Sequence, residues 1–263
     1  MNNENTNIAL FCDFENIALG VRDSNYATFN INKVLERLLL KGSIVVKKAY
    51  CDWERYKDFK PQMHEAAFEL IEIPHLRQSG KNSADIRMVV DALDLCYTKL
   101  HVDTFVIISG DSDFSPLVSK LRENNKTVIG IGVKDSTSNL LSANCDEFIF
   151  YDDLVREQKK THRPRLSKKA PTSKSPNKRQ EALDFIVETL EALGEERGEE
   201  EKMWGSMVKQ TMKRRRPGFT ESAYGYDSFR ELVEDAQSHN LLIMNRDEKT
   251  GQYTIRLVGP NEN

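Results

Sequence analysis

Short apolar runs and segments of helical periodicity alternate along the chain from Asn7 to about Tyr151. Two of the runs, Ile8–Cys12 and Phe105–Ile108, are apolar at every position instead of alternating apolar and polar residues. Such runs are typical of strands that are buried on both faces, as in the centre of a parallel sheet. The predicted strands are Ile8–Asp13, Ile44–Tyr50, Phe68–Pro74, Phe105–Ser109, Val128–Val133 and Phe148–Tyr151.

Helical patterns lie between these strands. Strand–helix alternation predicts an α/β fold, with a doubly wound, mostly parallel sheet and right-handed crossovers. The predicted helices are Ile31–Leu40, Lys60–Ala67, Ala84–Leu95, Pro116–Glu123 and Asn139–Ala143.

A different pattern follows from about Arg179 to Leu257. Apolar residues from Ala182 to Leu193 predict a helix that ends at Gly194. Two further helices are predicted around Val208 and Leu232, and two strands, Leu241–Met244 and Tyr253–Leu257, are joined by a polar turn. Three helices and a hairpin predict a winged helix, so the second, smaller domain belongs to that class.

The segment between the two patterns is strongly basic. From Arg156 to Arg179 there are ten lysines and arginines and one glutamate, a local balance of +9 in a chain of net charge −3. Its composition predicts an extended linker, and its charge indicates either a nucleic-acid contact or a solvated spacer. The predicted division is residues 1–156, a linker at 157–178, and residues 179–263.

Composition bounds the class of protein. With 39% hydrophobic and 30% charged residues the chain is typical of a globular protein. No apolar run approaches the roughly 20 residues of a membrane helix, and the polar N-terminus lacks the features of a signal peptide, so we expect a cytoplasmic protein without membrane contact. The four cysteines are widely spaced, which predicts reduced thiols in the core.

Four acidic residues follow strands or open a helix at the same predicted sheet edge. Asp13 closes the first strand, Asp111 and Asp113 follow Phe105–Ser109, and Asp85 lies at the start of the helix Ala84–Leu95. Ligands of open α/β sheets bind outside the carboxyl ends of the strands, near the switch point. Clustered carboxylates repel one another unless a cation offsets their charge, and Mg²⁺ prefers such oxygen ligands. Gly110 would let the chain turn sharply after its strand, and Asn16 could hold a water or a backbone group.

Each of these carboxylates also has a structural interpretation. Asp113 could cap the helix that begins near Phe114, and Asp85 could interact with the dipole of its own helix. For Asp13 and Asp111 this alternative is weaker, because no helix is predicted directly after them. Asp91 and Asp94 are interpreted as solvated helix positions.

The first part of the chain resembles the NYN domain, in its LabA-like branch. The resemblance rests on Ala9–Ile17, Lys81–Ile86 with Asp91, Ser109–Val118 and the closing segment Ser138–Phe148, and it covers about Asn7–Asp153. It implies a PIN-like fold and a Mg²⁺ or Mn²⁺ site that cuts RNA. The implied catalytic and metal-binding residues are Asp13, Asp85, Asp111 and Asp113, supported by Asn16 and Ser109, with Lys81 as a phosphate contact. Phe14 departs from the family pattern, in which a small residue is frequent, and this puts the shape of the substrate approach in doubt.

The second part resembles the OST-HTH (LOTUS) domain. The resemblance rests on Trp204–Lys209, Arg216–Phe219 and Tyr224–Leu232, and it covers about Arg179–Val258. It implies a winged helix that binds RNA or a protein partner. The basic residues Lys209, Lys213, Arg214, Arg215 and Arg216 are suited to phosphates, although a helix C-terminus also favours positive charge.

The sequence therefore predicts a metal-dependent endoribonuclease that acts on RNA, in single-stranded regions, with Mg²⁺ or Mn²⁺ as cofactor. An alternative is a non-catalytic RNA-binding or adaptor protein with an idle acidic site. A phosphotransfer receiver stays open on spacing, since Lys134 follows the strand Val128–Val133, although the acidic pair after Phe105–Ser109 fits it poorly. The substrate, the cut site and the oligomeric state do not follow from the sequence.

Overall fold

The computed structural model describes residues 6–24, 28–73, 83–161, 178–198, 201–247 and 252–258, and for 157–161 it describes the backbone alone. The chain divides into two units, Met1–Pro164 and Arg165–Asn263. This division falls within the predicted linker. Residues 162–177, which make up most of that linker, lie outside the described residues.

A parallel sheet forms the centre of the first unit. Its strands are β1 (Asn7–Asp13), β2 (Ser43–Cys51), β3 (Glu69–Glu72), β4 (Thr104–Ile108), β5 (Thr127–Gly132) and β6 (Glu147–Phe150). The six strands run in the order β3-β2-β1-β4-β5-β6, and every neighbouring pair is parallel. The predicted α/β fold is confirmed, and each strand begins and ends within two residues of its predicted bounds.

Seven helices of the described residues in this unit cover the sheet. They are α1 (Phe14–Asp23), α2 (Ile31–Lys41), α3 (Lys60–Glu65), α4 (Ser83–Thr98), α5 (Ser115–Glu123), α6 (Asn139–Asn144) and α7 (Tyr151–Thr161). The sequence patterns predicted five of them and missed α1 and α7. Since α7 continues to Thr161, the first five residues of the predicted linker are helical.

The side chains of the central strands alternate between two cores. Ile8 and Leu10 pack among residues of α1, α2, α3 and α7, whereas Ala9 and Phe11 pack among residues of α4, α5 and α6. All four are fully buried. This three-layer arrangement explains why β1 and β4 are apolar at every position, and it holds their carboxyl ends in fixed positions.

Two expectations from composition can be compared with the structure. All four cysteines are free thiols, and Cys12, Cys51 and Cys96 are buried as predicted. Within the described ranges, every helix is too short or too polar to cross a membrane.

The described residues of the second unit form three helices and a hairpin. These elements are α8 (Lys178–Arg197), α9 (Gly205–Arg215), α10 (Phe229–Ser238), β7 (Leu242–Arg246) and β8 (Tyr253–Leu257). The strands β7 and β8 are antiparallel, and Trp204, just before α9, bridges to Thr254 of β8. This is the arrangement of a winged helix, as predicted.

The end of α8 differs from the prediction. Gly194 was expected to end the helix, but α8 continues to Arg197. The residue that follows is Gly198, whose φ of +87° lies in the left-handed region, and its N–H donates to the Gly194 carbonyl. Glycine tolerates this conformation without the strain of a Cβ atom, so Gly198 is the better terminator.

Candidate active site

The switch point of the sheet lies between β1 and β4. From β1 the chain adds β2 and β3 on one side, and β4 then pairs with the other side of β1. Cys12 is opposite Ile108 in the parallel register, so Asp13 and Ser109 follow at the same edge. Ligands of open α/β sheets usually bind in such a crevice.

Asp13 is the most deeply buried carboxylate of this edge, with 8% of its surface exposed. Its Oδ1 accepts a hydrogen bond from the Asn16 N–H (3.2 Å), and its Oδ2 accepts one from the Ser109 hydroxyl (3.1 Å). The pKa of Asp13 is raised from 3.8 to about 7, first by burial and then by the negative charge of Asp85, and the two hydrogen bonds lower it in part. The site therefore needs a proton or a cation at this position.

Ser109 and Asn16 connect the ends of the two strands. The Asp111 N–H donates to the Ser109 hydroxyl oxygen (3.2 Å), and the Gly110 N–H donates to Asn16 Oδ1 (2.9 Å). Both residues thus orient the backbone that carries the carboxylates, and their supporting role in catalysis stays a prediction. Asn16 holds a backbone group, one of the two options that the sequence left open.

Close packing of two loops also requires a glycine at position 110. A Cβ atom at this position would lie 2.5 Å from the Ser136 carbonyl oxygen, so any side chain would push the two loops apart. The Ser138 N–H also donates to the Gly110 carbonyl (2.8 Å). Glycine is required here for close backbone contact.

The capping role that the sequence suggested for Asp113 belongs to Asp111. Asp111 caps a short 3₁₀ turn at Ser112–Phe114, with its Oδ1 accepting from the Asp113 N–H (2.9 Å). Asp113 caps nothing in this turn, and its side chain is exposed. Asp13 likewise caps α1, a helix that the sequence patterns did not predict. Both strand-end carboxylates therefore combine a structural role with their position in the cluster.

Asp85 completes the acidic cluster from the first turn of α4. Partial burial raises the pKa of Asp85, and the negative charges of Asp111, Asp113 and Glu15 raise it further. Glu15 was not singled out from the sequence, although it lies in the first motif between Asp13 and Asn16. Arg55 pairs with Glu15 (2.9 Å) and partly offsets its charge.

The donor set suits a hard divalent cation. The groups at this edge are carboxylate oxygens, and the pKa values of Asp13 and Asp85 are raised by burial and then by neighbouring negative charge, which a cation would neutralise. Within the part of the chain that the structure describes, no three acidic, histidine or cysteine side chains lie close enough to enclose a metal ion together. That spacing fits a cation held by one or two carboxylates and several waters, which is the usual way in which proteins bind Mg²⁺. A shell of all four carboxylates stays a prediction.

Asp91 is not the solvated residue that the sequence suggested. Its side chain is only 12% exposed, and it accepts hydrogen bonds from the Tyr50 hydroxyl (2.9 Å) and from Arg87 Nε (3.1 Å), with Lys48 Nζ at 3.5 Å. Asp91 therefore fixes α4, and with it Asp85, against β2. Asp94 is exposed as predicted.

Phe14 does not shape the substrate approach. It is fully buried and packs against the rings of Phe29, Trp53 and Phe59, with centroid distances of 4.9–5.9 Å. The departure from the family pattern therefore fills the core under α1. Lys81, the predicted phosphate contact, lies outside the described residues.

Comparison with known proteins assigns the first unit to a family. The NYN domain family matches residues 7–152, which is more than half of the 263 residues. The chain belongs to the NYN domain family. This family is part of the PIN-like nuclease superfamily, so the assignment supports a nuclease in general.

Two similar proteins have no assigned function. A protein of Methanocaldococcus jannaschii is 29% identical over 143 residues, which are 54% of this chain and 55% of that protein. The chain thus spans about half the length of this curated relative. A solved structure of a protein of unknown function from Vibrio parahaemolyticus has a TM-score of 0.52 and 26% identity, and it covers 59% of this chain and 98% of that chain. The structural similarity supports the α/β fold of the NYN unit.

The structure of this NYN protein does not fit the alternative of a phosphotransfer receiver. Its six strands do not follow the five-strand order 2-1-3-4-5 of receiver-like folds. The Lys134 side chain is exposed, and the Lys134 backbone N–H donates to Asp152 Oδ2 (2.8 Å). The acidic pair also follows β4 and not β1.

The basic stretch of the second unit is largely engaged in contacts within that unit. Lys209 pairs with Glu221 (2.9 Å) and Arg216 with Glu181 (3.4 Å). Arg215 pairs with Glu188, and its side chain is only 13% exposed. Arg214 is half-buried, and it donates to the Thr211 hydroxyl (2.9 Å). Lys213 is exposed. RNA binding by these five residues, and the resemblance to the OST-HTH domain, stay predictions, because the family match ends at residue 152.

Proposed function

We propose that this NYN protein is a metal-dependent endoribonuclease that cleaves single-stranded regions of RNA. The proposal is supported by the position of Asp13, Asp85, Asp111 and Asp113 at the switch-point edge, where burial and then neighbouring negative charge raise the pKa values of Asp13 and Asp85. RNA is the proposed substrate because of the NYN assignment and the +9 segment between the two units.

Mg²⁺ or Mn²⁺ is the proposed cofactor, and it would supply charge neutralisation and Lewis-acid polarisation of the phosphate. Asp13 and Asp111 would hold the cation directly. Asp85 and Asp113 would complete the shell or position the attacking water. Ser109 and Asn16 would keep Asp13 and the backbone after β4 in a fixed orientation, so that little reorganisation accompanies the reaction.

The test of this function is cleavage of labelled single-stranded RNA by the purified full chain with Mg²⁺, Mn²⁺ or EDTA. We expect cleavage with either metal and none in EDTA. Undiminished cleavage in EDTA would contradict the metal mechanism. Binding of RNA without cleavage under every condition would instead support an adaptor with an idle acidic site.

We further propose that the linker and the winged helix recruit RNA to the acidic edge, which by itself repels a polyanion. Removing residues 162–263 leaves α7 in place and deletes the winged helix and all of the linker that follows α7. RNA affinity should fall and its salt dependence should flatten, because each lost phosphate contact removes about 0.7 from the log–log slope on single strands. Fluorescence anisotropy at three or more salt concentrations measures both quantities.

A full-length control separates the two basic elements. Changing Lys168, Lys169 and Lys174 to Gln removes three linker charges and leaves the winged helix intact. If the truncated protein binds RNA as tightly as the full chain and with the same slope, the second half is not the RNA anchor. The winged helix would then dock a protein partner.

A further inference from the structure

An apolar groove opens directly beside the acidic cluster. It has a volume of about 710 Å³ and lies between α4 and α5, with Leu140 of α6 at its rim. Asp85 and Asp113 line the same groove, so it is continuous with the candidate catalytic carboxylates. A volume of this size is in the range of sites for small organic ligands, roughly 300–1,000 Å³.

The walls of the groove are apolar residues that the fold leaves open to solvent. Ile86, Val90 and Leu140 are 63%, 56% and 59% exposed. Ile86 and Val90 lie one turn apart on α4, so they present one continuous wall. Exposed apolar side chains that cluster in a groove indicate a binding surface more strongly than the same side chains scattered singly.

Hydroxyl groups are interleaved with these walls. Ser115 lines the groove and is 6% exposed, and its Oγ has no hydrogen-bond partner among the described atoms. Leaving this hydroxyl unpaired costs free energy, but the Oγ atom has almost no exposed surface, so a ligand in the groove would reach it only after a change of side-chain rotamer. Ser119, one turn further along α5, adds a second hydroxyl to the lining.

Charge decides the chemistry of the occupant. The described lining residues include two carboxylates and no lysine, arginine or histidine, so a phosphate or an acidic peptide would be repelled. A nucleobase is neutral and flat, with apolar faces and polar edges. It therefore suits walls of Ile86, Val90 and Leu140 with serine hydroxyls between them.

We infer that this groove binds a nucleobase of the RNA strand, adjacent to the phosphate held at the acidic cluster. The inference rests on the proposed function, because it assumes that the scissile phosphate lies at the acidic cluster. A base can enter the groove only when it is unpaired and unstacked. The groove thus selects single-stranded RNA and gives the enzyme a contact that is independent of the metal.

The test combines a groove variant with an abasic substrate in the full-length protein. The variant is the double substitution Ile86→Ser and Val90→Ser, and its control is Leu100→Ser, which changes an 81% exposed leucine outside the groove. The probes are a labelled ten-nucleotide RNA and a matched strand in which the four central nucleotides are abasic riboses. Binding is measured in Ca²⁺ and cleavage in Mn²⁺.

The wild type should bind the abasic strand at least about 10-fold more weakly than the normal strand, since loss of one apolar group from a pocket costs about that much. The double variant should bind the normal strand more weakly than the wild type by a similar factor. Its affinity for the abasic strand should be close to that of the wild type, because the substitutions and the missing bases remove the same contact. Leu100→Ser should bind like the wild type. Independent, multiplicative losses, or no loss at all, would overturn the inference.

The remaining outcomes separate this inference from the nuclease proposal. Base-dependent binding in Ca²⁺ without cleavage in Mn²⁺ would support nucleobase binding in the groove and contradict the proposed nuclease function. Cleavage in Mn²⁺ with equal affinity for the normal and abasic strands would support the nuclease function and contradict nucleobase binding in the groove. Absence of RNA binding would contradict both proposals. A change of oligomeric state in the double variant, without base dependence, would assign the groove to a second copy of the chain and overturn the inference.

Discussion

Replacing Asp111 by Asn should reduce RNA cleavage by at least about 10²-fold while the fold survives. The substitution removes a negative charge from the proposed metal site. An Asn Oδ1 can still accept the Asp113 N–H, which Asp111 binds at 2.9 Å, so the cap of the 3₁₀ turn is kept. The Asp111 backbone N–H that donates to Ser109 is also unchanged.

The measurement is a single-turnover rate in saturating Mn²⁺, with thermal melting of the same samples. Asp94→Asn is the matched control, because it removes the same charge from an exposed position of α4. The control should cleave RNA at the wild-type rate. An Asp111→Asn protein that keeps more than about a third of the activity would remove Asp111 from the catalytic machinery.

Replacing Asp13 by Asn should stabilise the metal-free protein at neutral and alkaline pH. The pKa of Asp13 is raised from 3.8 to about 7 in the folded protein, so the folded state binds the proton more tightly than the unfolded state does. The stability of the wild type should therefore fall as pH rises from about 4 to about 7, and the full penalty is present above that window. At about 1.4 kcal/mol per pKa unit, the penalty approaches roughly 4 kcal/mol as an upper bound.

An Asn at position 13 carries no charge and can still accept the Asn16 N–H as an N-cap. Urea unfolding in EDTA at pH 5 and pH 8 measures the effect. The advantage of Asp13→Asn should be several-fold larger at pH 8, whereas Asp94→Asn should stay within about 0.5 kcal/mol of the wild type. If the Asp13→Asn protein were instead less stable at pH 8, the carboxylate would serve mainly as a structural cap, and the charge argument for a cation would be lost.

The apolar patterns of the sequence predicted the sheet, because a strand that is buried on both faces is apolar at every position. The runs Ile8–Cys12 and Phe105–Ile108 became the two central strands, and the carboxylates after them lie at the switch point. α1 was missed although Phe14, Ile17 and Val21 have helical spacing, because the acidic Asp13 was interpreted as a strand end. One residue closes β1 and caps α1 at once, so no connecting loop marks the boundary.

The predictions that failed concern residues whose role depends on contacts with residues distant in the sequence. Asp91 has the spacing of a solvated helix position, and only its approach to Tyr50 and Lys48 of β2 shows that it is held in place. The basic stretch of α9 shows the converse. Its charges suggested a phosphate-binding surface, whereas Glu181 and Glu188 of α8 pair with Arg216 and Arg215. Pairing of this kind depends on which helices pack together, which local periodicity does not encode.

The most direct test of the central claim is metal add-back after EDTA treatment. The full chain is stripped of metal, and the cleavage rate of a labelled single-stranded RNA is measured as Mn²⁺ or Mg²⁺ is titrated back. The account predicts no cleavage without metal and a rate that rises and saturates with metal for the wild type, but stays at least about 10²-fold lower for Asp111→Asn. A rate that is independent of added metal, or the same saturating curve for both proteins, would contradict it.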